Sequence, residues 1–165
     1  MPRPPLRLVI SDLLNQPGRY RPVHLEARVD WALESSRVDK GTPLQADLVL
    51  EGASGGVLVR GRVAVVARNT CRRCLTEWSE PAEVEIFEML GTDQEADYRL
   101  AGDEADLEVP LRDAVLLALP LRPLCRPDCL GLCGVCGADL NTGSCPGHGE
   151  DDTSPFTVLR DLLEP

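Results

Sequence analysis

Residues 125–148 read C-R-P-D-C-L-G-L-C-G-V-C-G-A-D-L-N-T-G-S-C-P-G-H. This stretch holds five cysteines and a histidine with the spacing C-x3-C-x3-C-x2-C-x8-C-x2-H. The other two cysteines of the chain, Cys71 and Cys74, form a separate C-x2-C pair. Cysteine clusters of this kind, in a chain with no visible secretory signal, are typical of zinc sites and not of disulfides. We therefore expect the rest of the chain to be a scaffold that holds these ligands.

The number of candidate ligands is enough for two structural zinc sites, since each takes four. The order along the chain favours a first site made of Cys71, Cys74, Cys125 and Cys129. It favours a second, local site made of Cys133, Cys136, Cys145 and His148. The alternative joins the pair at 71 and 74 to the pair at 133 and 136, which leaves Cys125, Cys129 and Cys145 as spare thiols. The sequence thus predicts one or two Zn²⁺ ions.

Three other uses of the cysteines are open to the same residues. An iron–sulfur cluster also takes four cysteines. A redox sensor needs an exposed cysteine of low pKa beside cations, and Arg72 and Arg73 lie between the two cysteines of the first pair. A catalytic zinc needs three protein ligands and an open position, and His24 fits no pattern that would supply one. No G-x-S-x-G, P-loop or H-E-x-x-H motif is present, so we expect a protein that is not an enzyme.

The composition is that of a globular protein with a modest core. The 165 residues are 43% hydrophobic and 27% charged, and Lys40 is the only lysine. The net charge of −10 argues against a protein that simply coats nucleic acid. There is no long apolar run near the start and none of transmembrane length, so we expect a cytoplasmic protein without a membrane partner. No small-molecule substrate is evident.

Alternating apolar and polar residues predict antiparallel strands over 23–29 and 44–50, after a short strand at 6–10. A long strand runs to about Asn69 and another returns over 82–90, with the Cys71–Cys74 turn at the tip of the hairpin. Residues 11–18 fit one helical turn or a structured loop. The predicted fold is α+β, mainly β: a small antiparallel barrel or sandwich with a few short helices and a C-terminal zinc-binding region.

The second half of the chain changes character. Residues 91–108 hold seven acidic residues against one arginine and predict a mobile, solvated loop. A helix over 110–119 is expected to pack on the sheet, and a last helix begins near Ser154. We divide the chain into a β-rich core over 1–120 and a region over 121–165, in which the cysteine-rich segment and the last helix pack on that core.

Positive charge is concentrated around the first cysteine pair, because no acidic residue occurs over 52–76. If the first zinc site forms, seven arginines would converge around it: Arg60, Arg62, Arg68, Arg72, Arg73, Arg122 and Arg126. Arginines bind phosphate in a bidentate manner and stack on bases, so we predict a local RNA contact there. The alternative is an ordinary solvated strand face. The acidic loop would suit a basic partner such as a ribosomal protein.

Several motifs together resemble the YceD family: S-D-L-L-N-Q-P-G, C-R-R-C-L, D-A-V-L-L-A-L-P-L-R-P-L-C, the cysteine run from Cys125 to Asn141, and S-P-F-T-V-L. The resemblance covers nearly the full chain, and the sequence after the cluster is similar to that of actinobacterial members. It implies a role in accumulation of large-subunit ribosomal RNA and in biogenesis of that subunit, with no known enzymatic activity.

The resemblance also bears on the ligands. Family members that lack most of the second cluster keep the first, which supports the partition favoured above. This chain has Gly147 where many members carry a cysteine, so its second site would be closed by His148 or be incomplete. The implied partner is a precursor of the large ribosomal subunit, through rRNA, a ribosomal protein or both. The alternatives are a thiol-based redox or regulatory zinc module, and a protein-binding scaffold whose zinc is purely structural.

Overall fold

A computed structural model describes residues 6–143 and 145–148. Within these residues it has eight strands and one α-helix. They are β1 Arg7–Val9, β2 Tyr20–Ala27, β3 Ser36–Val38, β4 Leu44–Ala53, β5 Gly56–Thr70, β6 Glu77–Gly91, β7 Tyr98–Arg99, β8 Glu104–Asp106 and α1 Glu108–Ala118. The protein is mainly β, as predicted. Among the described residues, no helix is long and apolar enough to span a membrane.

The prediction was a small barrel or sandwich; the strands form an open sheet, so the barrel alternative is wrong. The order of the sheet is β2-β4-β5-β6-β7, and β3 pairs with the end of β5. In the described part of the chain the two edge strands do not meet, and β1 and β8 pair separately as a two-stranded sheet. One face of the large sheet is covered by this small sheet and by α1, since their apolar side chains belong to the same buried cluster.

The hairpin of β5 and β6 is the framework of the fold. Its fifteen residue pairs run from Gly56↔Gly91 to Thr70↔Glu77, which is roughly 50 Å at about 3.3 Å per residue. On the other edge of β5, β4 pairs with the first part of the strand and β3 with the last part. The turn that joins β5 to β6 carries Cys71 and Cys74, so the predicted hairpin with a cysteine pair at its tip is confirmed.

The alternation read from the sequence matches burial along the strands. On β4, the buried side chains are those of Leu44, Ala46, Leu48 and Leu50. On β5 they are Val57, Val59, Val63, Val65 and Ala67, while Arg60, Arg62 and Arg68 lie on the exposed face. Apolar side chains on one face of a pleated strand can share one core, and this is where the core lies.

Three local features differ from the prediction or add to it. The return strand begins at Glu77 and not at residue 82, because its pairing with β5 continues to the cysteine turn. β3 was not predicted, since three residues carry no periodic signal. Residues 11–15 form hydrogen-bonded turns and no regular helix, which is the structured loop that the sequence left open beside a helical turn: the Leu14 N–H donates to Ile10 O at 3.1 Å, and Leu13 is buried.

The acidic segment over 91–108 is more structured than the loop that was expected. It contains β7 and β8, and β8 pairs with β1 from Arg7↔Asp106 to Val9↔Glu104. Ala105 and Leu107 are fully buried. The expectation was wrong because the apolar residues between the acidic ones join the core and draw the segment onto it.

The helix predicted over 110–119 is confirmed as α1, which begins two residues earlier and ends before Pro120. It packs by one face only, with Pro110, Leu111 and Val115 buried. Leu117 is 87% exposed, so the helix packs on the sheet as expected and leaves some of its apolar side chains in solvent. The helix predicted from Ser154 lies outside the described residues, and the boundary at residue 120 stays a prediction.

Candidate metal centres

The turn between β5 and β6 holds the first two sulfur atoms. The Cys71 N–H donates to Thr76 O at 2.9 Å, and the Leu75 N–H donates to Cys71 O at 2.9 Å. Leu75 has φ of 61°, a left-handed conformation that closes the turn. The backbone hydrogen bonds thus hold Cys71 and Cys74 on one short loop.

The segment after α1 is fastened to this turn by its backbone. The Arg72 N–H donates to Pro123 O at 3.0 Å, and the Leu132 N–H donates to Arg73 O at 3.0 Å. The side chain of Arg73 donates to Cys129 O at 2.7 Å. These hydrogen bonds hold the loop over 123–132 against the hairpin tip.

The four sulfur atoms of the first group lie close to one another. The Sγ atoms of Cys71 and Cys129 are 3.8 Å apart, and those of Cys74 and Cys125 are 3.5 Å apart. All four lie within 4.8 Å of one another. A tetrahedral zinc with Zn–S bonds of about 2.3 Å places its sulfurs about 3.8 Å apart, whereas a disulfide bond is about 2.05 Å. The arrangement therefore fits a metal ion and no disulfide.

The second group is built on another tight turn. The Cys133 N–H donates to Ala138 O at 2.8 Å, and the Gly137 N–H donates to Cys133 O at 2.9 Å. Gly137 has φ of 71°, which a residue with a side chain rarely adopts. The Sγ atoms of Cys136 and Cys145 are 3.9 Å apart, and the ligand atoms of the group lie within 4.8 Å of one another. That group is Cys133, Cys136, Cys145 and His148.

Within each group, one cysteine has a lowered pKa and another has a raised pKa. Burial opposes ionisation of Cys71, but hydrogen bonds from the backbone of Cys125, Cys74 and Arg73 outweigh it and lower the pKa to about 6. The Cys74 thiol, burial and Cys129 raise the pKa of Cys125 to about 12. Without a cation, the thiolate of one cysteine thus keeps a neighbouring cysteine protonated.

The second group shows the same division. Hydrogen bonds from the backbone of Cys136 and Val135 lower the pKa of Cys133 to about 6. A backbone hydrogen bond at Gly147 favours the Cys145 thiolate, but burial and the neighbouring thiols outweigh it and raise the pKa of Cys145. The charge of a divalent cation at the centre would offset this repulsion between thiolates. Metal binding would therefore release the remaining protons.

The two groups differ in exposure. In the first, Cys71 and Cys129 are buried, Cys74 is half-buried and Cys125 is exposed. In the second, Cys136 and His148 are exposed. The structure brings together the two sets that the order along the chain favours, and not the alternative set that joins the pairs at 71 and 133. Their role as metal ligands stays a prediction.

Two residues of the first site were not singled out from the sequence. The Thr76 hydroxyl lies 3.2 Å from the sulfur of Cys74. The Asn141 amide donates to the sulfur of Cys129 at 3.7 Å, and its oxygen accepts from the Leu130 N–H at 2.9 Å. Asn141 therefore ties the second half of the cysteine run to the first site. The only signal in the sequence was its place at the end of the resemblance motif.

The seven arginines do not converge, so that expectation was wrong. Arg72, Arg73 and Arg122 line one groove of about 390 Å³ beside the first site, together with Leu124. Arg62 lies nine positions before Cys71 on β5, roughly 30 Å along the strand, and Arg60 lies two positions further away.

The arginines outside the groove have carboxylate or amide partners of their own. Arg68 pairs with Glu77 at 3.3 Å, and Arg126 donates to Asn141 at 2.8 Å. Arg72 also pairs with Glu34 at 3.3 Å at the rim of the groove. His24 is exposed, with its Nδ1 atom 2.6 Å from an oxygen of Asp47, as expected for a surface residue. The groove is therefore the part of the predicted basic patch that the structure assembles.

The fold and these sites define an open, mainly antiparallel β protein with two groups of four residues that could hold metal ions. The chain belongs to the YceD family: residues 59–163 match the family described as large ribosomal RNA subunit accumulation protein YceD. This confirms the resemblance noted from the motifs.

The relatives extend the match over most of the chain. An uncharacterized protein of Mycobacterium tuberculosis is 36% identical over 175 residues, covering 98% of this chain and 83% of the relative. The chloroplastic large ribosomal RNA subunit accumulation protein YCED homolog 1 of Zea mays is 29% identical over 178 residues, covering 84% of this chain and 59% of the relative. No solved structure matches the chain significantly.

Proposed function

We propose that this protein is a zinc-binding factor, not an enzyme, that supports accumulation of large-subunit ribosomal RNA during biogenesis of the subunit. Membership of the YceD family and the name of the maize relative support the ribosomal role. The observation that carries the zinc assignment is the group of four sulfur atoms within 4.8 Å of one another at the hairpin tip. Soft thiolate ligands suit zinc better than calcium or magnesium.

Zinc in these groups would be structural. Each group supplies four protein ligands, which leaves no open position for water or substrate. At the first site the ion would join residues 58 positions apart in the chain. Zinc would therefore cross-link the cysteine-rich segment to the hairpin, and the surface beside it would bind the partner.

The groove of Arg72, Arg73 and Arg122 is the surface that suits RNA. Three guanidinium groups around one concavity can take phosphate oxygens in bidentate pairs. The Cys129 carbonyl holds the Arg73 side chain, so formation of the first site would also orient one of the phosphate-binding groups. The proposed partner is thus a precursor of the large subunit in the cytoplasm, with no membrane and no small-molecule substrate.

The test is complementation of a strain depleted of this protein. Arg72→Glu with Arg122→Glu reverses the groove, while Arg28→Glu with Arg99→Glu makes the same charge change at exposed positions elsewhere. We expect the first pair to fail to restore the level of large-subunit rRNA and the second pair to restore it. Unchanged rRNA and subunit profiles in the depleted strain would reject the role.

A second candidate, a redox-sensitive zinc module, is favoured by the exposure of Cys136 and His148 in the second group. Exposed thiolates are the ones that oxidants reach. This reading predicts reversible release of one zinc per chain when hydrogen peroxide is added. Retention of all bound zinc under that treatment would remove this candidate.

A further inference from the structure

The large sheet has a second face, pointing away from the core, that neither metal group uses. Cross-strand register places its side chains in rows across β2, β4, β5 and β6. One row is Tyr20, Glu51, Leu58 and Met89, and the next is Pro22, Val49, Arg60 and Phe87. We call the surface formed by these two rows and the next two, which end at Glu85 and Glu83, the outer face.

Two aromatic side chains on the outer face are largely exposed. Phe87 is 71% exposed and Tyr20 is 69% exposed, and Met89, two positions from Phe87 on β6, is 44% exposed. The chain has only two phenylalanines and two tyrosines. Leaving one of each in water forgoes the free energy of burying it, roughly 2 kcal/mol for a phenylalanine. Exposed apolar clusters of this kind mark surfaces that another molecule covers.

The surface between these side chains is concave. A depression of about 320 Å³ is lined by Val49, Arg60 and Phe87, among others. A second depression, of about 450 Å³, is lined by Pro22, His24 and Val49, among others. Because Val49 lines both, the two depressions adjoin on the outer face.

The charges of the outer face exclude a polyanion. Five carboxylates on it, those of Glu26, Asp47, Glu51, Glu83 and Glu85, outnumber its two arginines. Both arginines are already paired, Arg60 with Glu51 at 3.6 Å and Arg62 with Glu83 at 3.5 Å. An approaching phosphate would therefore meet net negative charge, whereas a lysine or arginine would find carboxylates around an apolar floor.

From these observations we infer that the outer face binds a basic protein segment. Apolar side chains of the segment would lie in the two depressions and against Phe87 and Tyr20, and its cations would pair with the surrounding carboxylates. This goes beyond the proposed RNA contact, which lies at the hairpin tip. It gives the protein two surfaces of opposite charge at different parts of one hairpin.

Fluorescence anisotropy tests the inference with three labelled probes: a short peptide of alternating lysine and valine, one of alternating lysine and serine, and a short uridine RNA. We expect the lysine–valine peptide to bind at least tenfold more tightly than the lysine–serine peptide. Tyr20→Ala with Phe87→Ala, and separately Glu83→Lys with Glu85→Lys, should each weaken binding of the lysine–valine peptide about tenfold.

Matched controls change the same properties elsewhere. Leu117→Ala removes an exposed apolar side chain from α1, and Glu95→Lys with Asp97→Lys makes the same charge change on an exposed turn. Both should leave peptide affinity within about twofold. Unfolding curves that match the wild type verify that the exposed substitutions leave the fold intact.

Three results would overturn the inference. The lysine–valine peptide could bind no better than the lysine–serine peptide, or equally well to the outer-face variants. The uridine RNA could lose affinity with Phe87→Ala, which would make the face an RNA surface. Sedimentation could show a dimer that Phe87→Ala dissociates, which would make it a contact between copies. None of these results bears on rRNA levels in the depleted strain, so failure here leaves the proposed function standing.

Discussion

Gly61, in the middle of β5, shows how strongly one residue is constrained by close packing of strands. It has φ of 150°, and a Cβ atom placed on it would overlap the backbone oxygen of Asp47 and lie 2.9 Å from Leu48 Cα. The neighbouring strand β4 therefore approaches β5 more closely here than a side chain permits. Glycine is required by the fold at this position.

The first prediction follows from that contact. Gly61→Ala should destabilise the zinc-loaded protein by about 2 kcal/mol, because either the strand moves or the backbone is strained. Urea unfolding followed by circular dichroism measures the change. Gly134→Ala is the matched control, since a Cβ at residue 134 meets nothing within 4 Å and the backbone there has no positive φ. Equal unfolding free energies for the two variants would show that the packing at Gly61 is misread.

At the level of residues, the sequence was most informative where chemistry limits the choice. The spacing of the cysteines was enough to favour the two sets that lie together in the structure. Asn141 and Thr76 could not be found in the same way, because their contacts with sulfur depend on how two distant loops meet. The same limit applies to Arg60 and Arg62, whose distance from the metal group follows from the direction of β5 and not from their number.

The helix α1 joins the sheet to the cysteine-rich segment and is held by one face. Leu111 is fully buried, whereas Leu117 on the same helix is 87% exposed. Leu111→Ala should cost about 2–5 kcal/mol of unfolding free energy, because it removes apolar contacts and leaves a cavity. Leu117→Ala should change it by no more than about 0.5 kcal/mol. Similar losses for both variants, measured by urea unfolding, would contradict the packing described for α1.

The two cysteine turns differ in what they connect. The first site links the hairpin tip to the loop after α1, over 58 positions in sequence, and two of its four cysteines are buried. The second closes only the local segment from Cys133 to His148, where two ligands are exposed. A chelator reaches an exposed ion more readily, so the two sites should lose metal at different rates.

Metal removal gives the corresponding prediction. Zinc should leave the protein in two phases on addition of EDTA, and the fast phase should be absent in Cys145→Ser. A zinc-sensitive dye records both phases. Loss of far-UV circular dichroism should not accompany the fast phase, since the β5–β6 core does not depend on the second site. A single phase, or a fast phase that survives Cys145→Ser, would refute the assignment of the exposed site.

At the level of elements, long strands were predictable and short ones were not. β4 and β5 carry the apolar alternation over ten and fifteen residues, which is enough to fix the buried face. β3, β7 and β8 have two or three residues each, and a pattern of period two cannot be read from so few. The acidic residues around β8 concealed Ala105 and Leu107, whose burial decides where that segment lies.

The whole molecule separates its charges along one hairpin. The arginine groove lies at the tip beside the first cysteine group, and the carboxylate-rich outer face lies further along β5 and β6. A net charge of −10 therefore describes neither surface alone. If the groove binds RNA as proposed, the logarithm of the affinity should fall linearly with the logarithm of the salt concentration. The slope should be small, because the groove contacts few phosphates.

Sheet closure is the whole-molecule feature that the sequence could not give. A barrel requires the first and last strands to pair, and the alternation of side chains is the same in an open sheet as in a closed one. Here β2 and β7 are the edges, and β1, β8 and α1 cover the core face instead. Which of these arrangements forms depends on long-range packing and not on the period of any single strand.

Two independent zinc sites should hold the cysteine-rich segment, and the number of zinc ions bound per chain decides whether they do. The measurement is made by mass spectrometry of metals on protein purified without chelator, alongside Cys71→Ser and Cys145→Ser. We predict two zinc ions in the wild type and one in each variant, with the remaining ion at the untouched site. A protein with no zinc, or one whose metal is iron, would contradict the account.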